Sequence, residues 1–445
     1  SYYDKELEVR LSRSYGPGRY DPSYEEQGVD YPIGYVRWTE RRNLGAFLDL
    51  VAEGRVDLVP LISEVFDFDQ AVEVYDRLHD GSLGGIGNVF RYQAPDLPQR
   101  EVRNPAGTTK RSAVAAGDLV RLGVIGCGNY ASTMLLPHLK GRDDVELATV
   151  VTRSALSAAT AARKFGFSTT ATDLDGLLAD ERIPAVLIAT RHESHAALVV
   201  RALEAGKAVL VEKPLAVDRA QLDSVAAAVA ASGNDRLMVG YNRRFAPMLG
   251  ALRSNFGPLH HPVVVDYTVN AGRLEPGSWY GDSELQGSRF VGEGGHFVDT
   301  VSWWLGADPV EVSATVVGDD PDNLVCRLRY PDGSVATISY LTEGDPGYPK
   351  ETFTVVGEGR VARMSNFRRA GLYRGGRRNR IRSGLPGGVD KGQRRQLDSF
   401  IEAVRRGSPM PIPFESLHRT SEATFSVAAA ALSGRGIAIG SAAGN

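Results

Sequence analysis

The sequence contains no apolar run of the roughly 20 residues a bilayer-spanning helix needs, so no membrane segment is expected. Cysteine is scarce: two in 445 residues, Cys127 and Cys326. One lies inside a glycine turn, so a structural disulfide is not expected and a reducing, cytoplasmic setting fits. Charge of neither sign dominates. Lys and Arg number 51 and Asp and Glu 54, a net of −3. No global basic field draws the chain to nucleic acid or to an anionic membrane, and neither is expected as a partner. The start, Ser1-Tyr-Tyr-Asp-Lys-Glu, lacks the basic-then-apolar pattern of a secretory signal. No Cys and His spacing suits zinc, so no metal is expected; a nucleophile elbow and a kinase-type loop are also missing. Internal repeats are absent.

What remains is a globular composition, 42% hydrophobic and 24% charged, long enough for two to three cored domains. The most informative stretch is Leu119-Val-Arg-Leu-Gly-Val-Ile-Gly-Cys-Gly-Asn-Tyr-Ala131. An apolar strand runs into a glycine turn that opens a helix. Gly126 permits the tight turn. Gly128 lets backbone approach a pyrophosphate. Asn129 and Tyr130 begin the helix, and the small Ala131 allows it to pack closely on the strand. Free N–H groups at the helix start suit the anion.

Four segments follow from this landmark. Residues 1–95 hold two amphipathic helical stretches, Ala46–Ala52 and Phe68–Leu78, and strand-like pieces. Residues 96–117 have linker composition. Residues 118–240 alternate apolar strands with alanine-rich helices, which predicts a parallel sheet covered on both faces. Residues 241–445 change to period-two strands, with a hairpin at Pro331-Asp-Gly333, a crossing helix over Gly295–Leu305 and a late helix with the stripe Leu397, Phe400, Ile401 and Val404. The fold class expected is α/β: a Rossmann doubly wound parallel sheet, then an α+β domain with a large, mostly antiparallel open sheet, preceded by a smaller α/β block.

Several residues carry chemistry. The strand after the glycine turn ends Thr152-Arg153-Ser154, where an acidic residue would bond the ribose of NAD. A cation and two hydroxyls suit a 2′-phosphate instead, which points to NADP with NAD still possible; alternatively Arg153 faces solvent. Glu212-Lys213-Pro214 follows another strand, at the carboxyl end where α/β sheets bind ligands. Lys213 there is either a surface lysine or a proton donor and acceptor for a substrate hydroxyl. His296, in Gly292-Glu-Gly-Gly-His-Phe-Val-Asp299, is read at a helix start, where the dipole lowers its pKa. It either accepts a proton or caps the helix, and Asp299 orients it or a substrate hydroxyl. Asn270 and Trp279 fall where a substrate pocket is walled. Arg244 binds a substrate anion or bridges domains. Seven arginines between Arg368 and Arg382 read as a solvated loop, or as a grip on an anionic substrate.

These motifs, with Ala189-Thr-Arg-His-Glu-Ser-His195 and Gly240-Tyr-Asn-Arg-Arg-Phe245, resemble the glucose–fructose oxidoreductase, inositol dehydrogenase and rhizopine catabolism (Gfo/Idh/MocA) family over about residues 118–440. The resemblance implies NAD(P)-dependent hydride transfer to or from a sugar, cyclitol or nucleotide-sugar-like substrate, and a homo-oligomer, dimer or tetramer, joined through the open sheet. It also leaves room for glycoside cleavage by transient oxidation, or for a non-catalytic NADP(H) scaffold. Lys213 becomes the catalytic lysine. Glu212, Ala189, Thr190, Arg191, His192 and His195 line the cofactor. The family's frequent aspartate four residues before the histidine is replaced here by Gly292, and Glu293 stands next to it as the possible substitute. Separately, Leu11-Ser-Arg-Ser-Tyr-Gly-Pro-Gly-Arg-Tyr-Asp-Pro22, Tyr31-Pro-Ile-Gly-Tyr-Val-Arg37 and the two early helices resemble the C-terminal end of a medium-chain, zinc-type alcohol dehydrogenase.

Overall fold

The computed structural model describes residues 16–25, 30–92, 101–103, 119–274, 287–382 and 388–439. It divides into two units, Ser1–Pro98 and Gln99–Asn445. In the first, helix α1 (Glu40–Ala52), strand β1 (Ile62–Asp67), helix α2 (Ala71–His79) and strand β2 (Gly87–Arg91) form a small layer. The two strands pair in parallel. Phe66 and Val74 are its only buried hydrophobic side chains among the described residues. Phe47 and Leu48 of α1 are exposed.

The second unit opens with β3 (Glu101–Arg103), an edge strand inside the stretch of linker composition. Six parallel strands follow: β4 (Val120–Ile125), β5 (Val145–Val151), β6 (Thr169–Ala171), β7 (Ala185–Ile188), β8 (Ala208–Val211) and β9 (Leu237–Val239). Their order is β3-β6-β5-β4-β7-β8-β9. The chain winds outward from β4 in both directions, which opens a crevice at the carboxyl ends of β4 and β7. β7 and β8 are buried along their whole length, as an apolar run covered on both faces requires.

Among the described residues the mixed second sheet holds nine strands. Its centre is β10 (Val264–Asn270), which pairs in parallel with β13 (Val335–Leu341) and antiparallel with β14 (Glu351–Gly357). Beyond β13 lie β12 (Leu324–Arg329) and β11 (Glu311–Val316). Alternate side chains such as Val265, Tyr267, Ile338, Tyr340 and Phe353 point into one core with Phe297, Val301 and Trp304. These come from a helix over Arg289–Leu305 that crosses the buried face.

The arginine-rich stretch is not a loop. It forms β15 (Arg360–Ser365), β16 (Arg369–Arg374) and β17 (Arg377–Ile381), the outer edge of the sheet. Gly375 and Gly376 make the two-residue turn, with φ of 57° and 71° as that hairpin demands. Ala370, Leu372 and Ile381 are buried beneath the arginines. None of these seven arginines lines the large cavity described below, so an anion grip there is not formed.

The late helix, Gln393–Arg406, presents Leu397, Phe400, Ile401 and Val404 to a core as expected. That core belongs to the Rossmann sheet, with Val120, Leu147 and Ala185. The chain therefore returns from the second sheet to cover the first. No helix among the described residues is long and apolar enough to cross a membrane. Cys127 and Cys326 are free thiols.

Candidate active site

Gly126 ends β4 with φ of 86°, and a Cβ there would lie 2.5 Å from Ala189 O. No side chain fits, which explains the glycine. Above Gly128 the space is open, with nothing within 4 Å of an added Cβ. The expected helix is shorter and less regular: a π-helical turn at Ala131–Leu135, then a 3₁₀ turn at Leu136–His138. Pro137 explains the change, since it has no N–H for an α-helical bond. Ala131 is buried against the sheet as expected. A glycine turn whose roof is open and whose backbone leads into a helix fits a dinucleotide pyrophosphate.

The carboxyl ends of β4, β7, β8 and β9 converge on a cavity of about 660 Å³. Tyr130, Ala189, Thr190, His192 and His195 line one part of it, and Glu212 and Lys213 stand between them and Arg243, Glu293 and His296. His195 is held on both sides: Nδ1 lies 2.7 Å from Pro214 O and Nε2 3.2 Å from Thr190 O. Burial, partly offset by those two carbonyls, lowers its pKa. It braces two loops to each other. Thr152 bonds Ser154 O at 2.6 Å through its hydroxyl, and Arg153 and Arg191 are exposed.

Lys213 projects from the exit of β8, and its Nζ donates to Gly292 O at 3.0 Å. Glu212 beside it is buried, and burial drives its pKa up to about 7 against the pull of Lys213 and Arg243. Gly240 makes room for it: a Cβ there would lie 2.7 Å from Glu212 Oε2. Glu293 accepts from the Tyr340 hydroxyl at 2.8 Å. Burial alone would raise its pKa, but Lys213, Lys350 and this hydroxyl bring it below the ordinary carboxylate value.

His296 does not stand at a helix start. The helix Arg289–Leu305 is capped by Ser288, whose side chain accepts from Val291 N, so His296 lies two turns inside. Its pKa is far below the usual value, as the dipole argument also expected, but the cause differs. Burial comes first, then the charges of Arg243, Lys213, Lys391 and Lys350. The ring does not cap the helix either: Nδ1 is buried and makes no hydrogen bond.

Asp299, Arg244 and Asn270 do not line that cavity. Asp299 is buried one turn beyond His296, where Arg244 donates to it twice, at 2.9 and 2.5 Å. That bidentate pair uses both groups, so Asp299 does not orient His296 and Arg244 is not offered to a substrate. Asn270 donates to Asp345 O at 2.7 Å and holds a turn outside the cavity. Trp279 lies outside the described residues.

Sequence reasoning missed the adjacent arginine. Arg243 reaches the cavity and forks onto Glu351 at 2.8 and 3.0 Å. Glu351 also accepts from Lys391 at 2.6 Å and from the Tyr267 hydroxyl at 2.7 Å. No group of three or more His, Cys, Asp and Glu side chains among the described residues is placed to hold a metal.

Residues 120–241 match the family model described as oxidoreductase family, NAD-binding Rossmann fold, and residues 257–363 match the Gfo/Idh/MocA C-terminal domain. Inositol 2-dehydrogenase of Rhizobium meliloti strain 1021 is 30% identical over 257 residues, covering 55% of this chain and 75% of that protein. The chain belongs to the Gfo/Idh/MocA family. It is an NAD-binding oxidoreductase of that family, with the Rossmann and open-sheet halves that the family models describe. Inositol 2-dehydrogenase 2 of Paenarthrobacter aurescens strain TC1 is 29% identical over 305 residues, 65% of this chain and 88% of that one. Two solved structures share the fold. An oxidoreductase domain protein from Kribbella flavida has a TM-score of 0.64 at 23% identity, covering 73% of this chain and all of that one. Levoglucosan dehydrogenase, in complex with NADH and levoglucosan, has a TM-score of 0.63 at 20% identity, covering 72% of this chain and 99% of that one.

Proposed function

We propose that this oxidoreductase interconverts a hydroxyl and a carbonyl on a sugar, cyclitol or nucleotide-sugar-like substrate. One observation carries the reading: Lys213 and His296 line one cavity at the carboxyl end of a sheet whose glycine turn fits a dinucleotide. A nicotinamide held there supplies the hydride donor or acceptor, and donor and acceptor carbons must come within about 3–3.5 Å. The chain handles the proton. Lys213, whose Nζ donates to Gly292 O across the crevice, is placed to hold the reacting oxygen. His296, kept neutral by burial and four nearby cations, has a lone pair ready for a hydroxyl proton at neutral pH. Glu293 sits beside both as a fixed negative charge and offsets the missing carboxylate at position 292. Incubation with NAD or NADP and a panel of aldoses, uronates and cyclitols is expected to raise the nicotinamide absorbance with at least one of them. Failure of every member, in both directions of reaction, removes the reading.

The cofactor is proposed to be NADP, because Thr152, Arg153 and Ser154 follow β5 without a carboxylate. Calorimetric titration is expected to show NADPH binding about tenfold more tightly than NADH, the worth of one charge-assisted contact to the 2′-phosphate. Equal affinities discard this choice. The free thiols Cys127 and Cys326 support a reducing, cytoplasmic setting. The solvent side of the second sheet carries exposed Val264 and Val356, which supports packing against a second copy. The parallel pair β1 and β2, with α1 and α2, supports the reading of the first unit as the C-terminal end of a medium-chain dehydrogenase, without a role in the chemistry.

A further inference from the structure

Charges are unevenly divided in the cavity. Lys213, Arg243, Lys350 and Lys391 line it, against Glu212 and Glu293. The buried Glu351 lies behind the wall and supplies one more negative charge, shared between Arg243 and Lys391. Glu212 is only partly ionised near neutrality, with its pKa at about 7. The sum is an excess of positive charge on the side built by the second sheet. This excess does not serve the pyrophosphate, which belongs over Gly126 and Gly128 at the end of β4. Lys350 immediately precedes β14 and forms no ion pair with any described carboxylate. Its charge nevertheless reaches Glu293, His296 and Lys391. An excess of like charge round a partly desolvated cavity costs free energy until a counter-charge arrives. An oxidised nicotinamide ring brings another positive charge, so the cofactor does not provide it.

We propose that the substrate is an anionic sugar, whose carboxylate or phosphate is held between Lys350 and Lys391 while its reacting hydroxyl lies at Lys213 and His296. The proposal rests on the reading of the protein as a sugar oxidoreductase and names the substrate class of that site. Two lysines, rather than a free arginine fork, make this a charge-selecting contact. Among the described lining residues the one guanidinium, Arg243, forks onto Glu351 at 2.8 and 3.0 Å, whereas Lys391 gives Glu351 a single N–H at 2.6 Å and has others to offer. The contact selects for charge more than for the shape of the anion, so carboxylate and phosphate are both admitted.

The test is calorimetric titration of the NADH-saturated enzyme with D-glucuronate, D-glucose 6-phosphate and D-glucose. At least one of the two anionic sugars is expected to bind about tenfold or more tightly than glucose, with an affinity that falls as salt is added. Tight glucuronate with weak phosphate assigns a carboxylate; the reverse assigns a phosphate. Lys350→Gln, at an exposed position, is expected to remove most of the difference while leaving NADH affinity in place. Glucose binding as tightly as both anions, no binding by either anion, or equal weakening of all three sugars in the variant overturns the proposal. Nicotinamide reduction by the bound sugar is scored separately. Tight anion binding without turnover leaves the lysine pair standing and removes sugar oxidation.

Discussion

Lys213→Ala is expected to lower turnover by about 10²–10⁴-fold, the usual worth of a positioned proton donor or acceptor, with NADH affinity within about twofold of the parent. The side chain leaves β8 at the crevice, and its Nζ contact is with Gly292 O on the opposite wall, 3.0 Å away. Its loss removes a donor at the reacting oxygen and none at the glycine turn. Steady-state kinetics and a fluorescence titration of NADH separate the two effects. The variant also carries a second signature. Lys213 is one of the cations that depress the His296 pKa, so its removal lets that pKa rise. If the neutral imidazole is the proton acceptor, the acidic limb of the residual pH–rate profile moves to higher pH. Lys213→Arg keeps a cation and restores the profile's position, but a planar fork does not replace a compact ammonium, so turnover stays low. Full activity in Lys213→Ala ends the assignment.

The Rossmann half was legible because buried parallel strands read as continuous apolar runs, and Gly126 has no substitute in its turn. The central strands of the second sheet were legible through strict alternation. Three things were obscured, each for a physical reason. β16 and β17 put arginine on nearly every exposed position, and that density hid the alternating Ala370 and Leu372 and the Gly375-Gly376 turn. The first half of the helix Arg289–Leu305 carries Gly292, Gly294 and Gly295, which argue against helix by propensity. The fold needs two of them small. A Cβ at Gly294 would lie 2.6 Å from the Phe290 ring, and one at Gly295 3.1 Å from the Tyr241 ring. Tertiary packing therefore overrode propensity, and His296 moved from helix start to helix interior. Ser288, the cap actually used, was the available signal. The arginine assignment was reversed within one dipeptide, because Arg243 and Arg244 leave a 3₁₀ turn in different directions. Glu351 did leave a trace. It shares the phase of Phe353 and Val355 in β14, and a carboxylate in a core phase demands a buried cation.

Glu351→Gln is accordingly expected to cost about 3–5 kcal/mol of folding stability, the range for removing one partner of a buried ionic cluster. Glu351 is fully buried, with Arg243 on both carboxylate oxygens, Lys391 at 2.6 Å and the Tyr267 hydroxyl at 2.7 Å. Glutamine preserves the shape and takes away the charge, which leaves two cations facing each other. The pH dependence distinguishes this from a packing defect. Burial pushes the Glu351 pKa up, but Arg243 and Lys391 overcome it and hold the folded value far below the ordinary 4.5. A depressed carboxylate contributes stability that is complete above the unfolded pKa and disappears as pH falls through the folded one. The stability gap between parent and variant, measured by denaturant unfolding, should therefore be flat between about pH 8 and pH 5 and narrow below about pH 4.5. A purely steric defect gives a gap that does not change with pH. Because Arg243 and Lys391 also line the cavity, loss of Glu351 frees both cations toward the substrate. Folded Glu351→Gln should then hold an anionic sugar at least as tightly as the parent, although the protein as a whole is weaker.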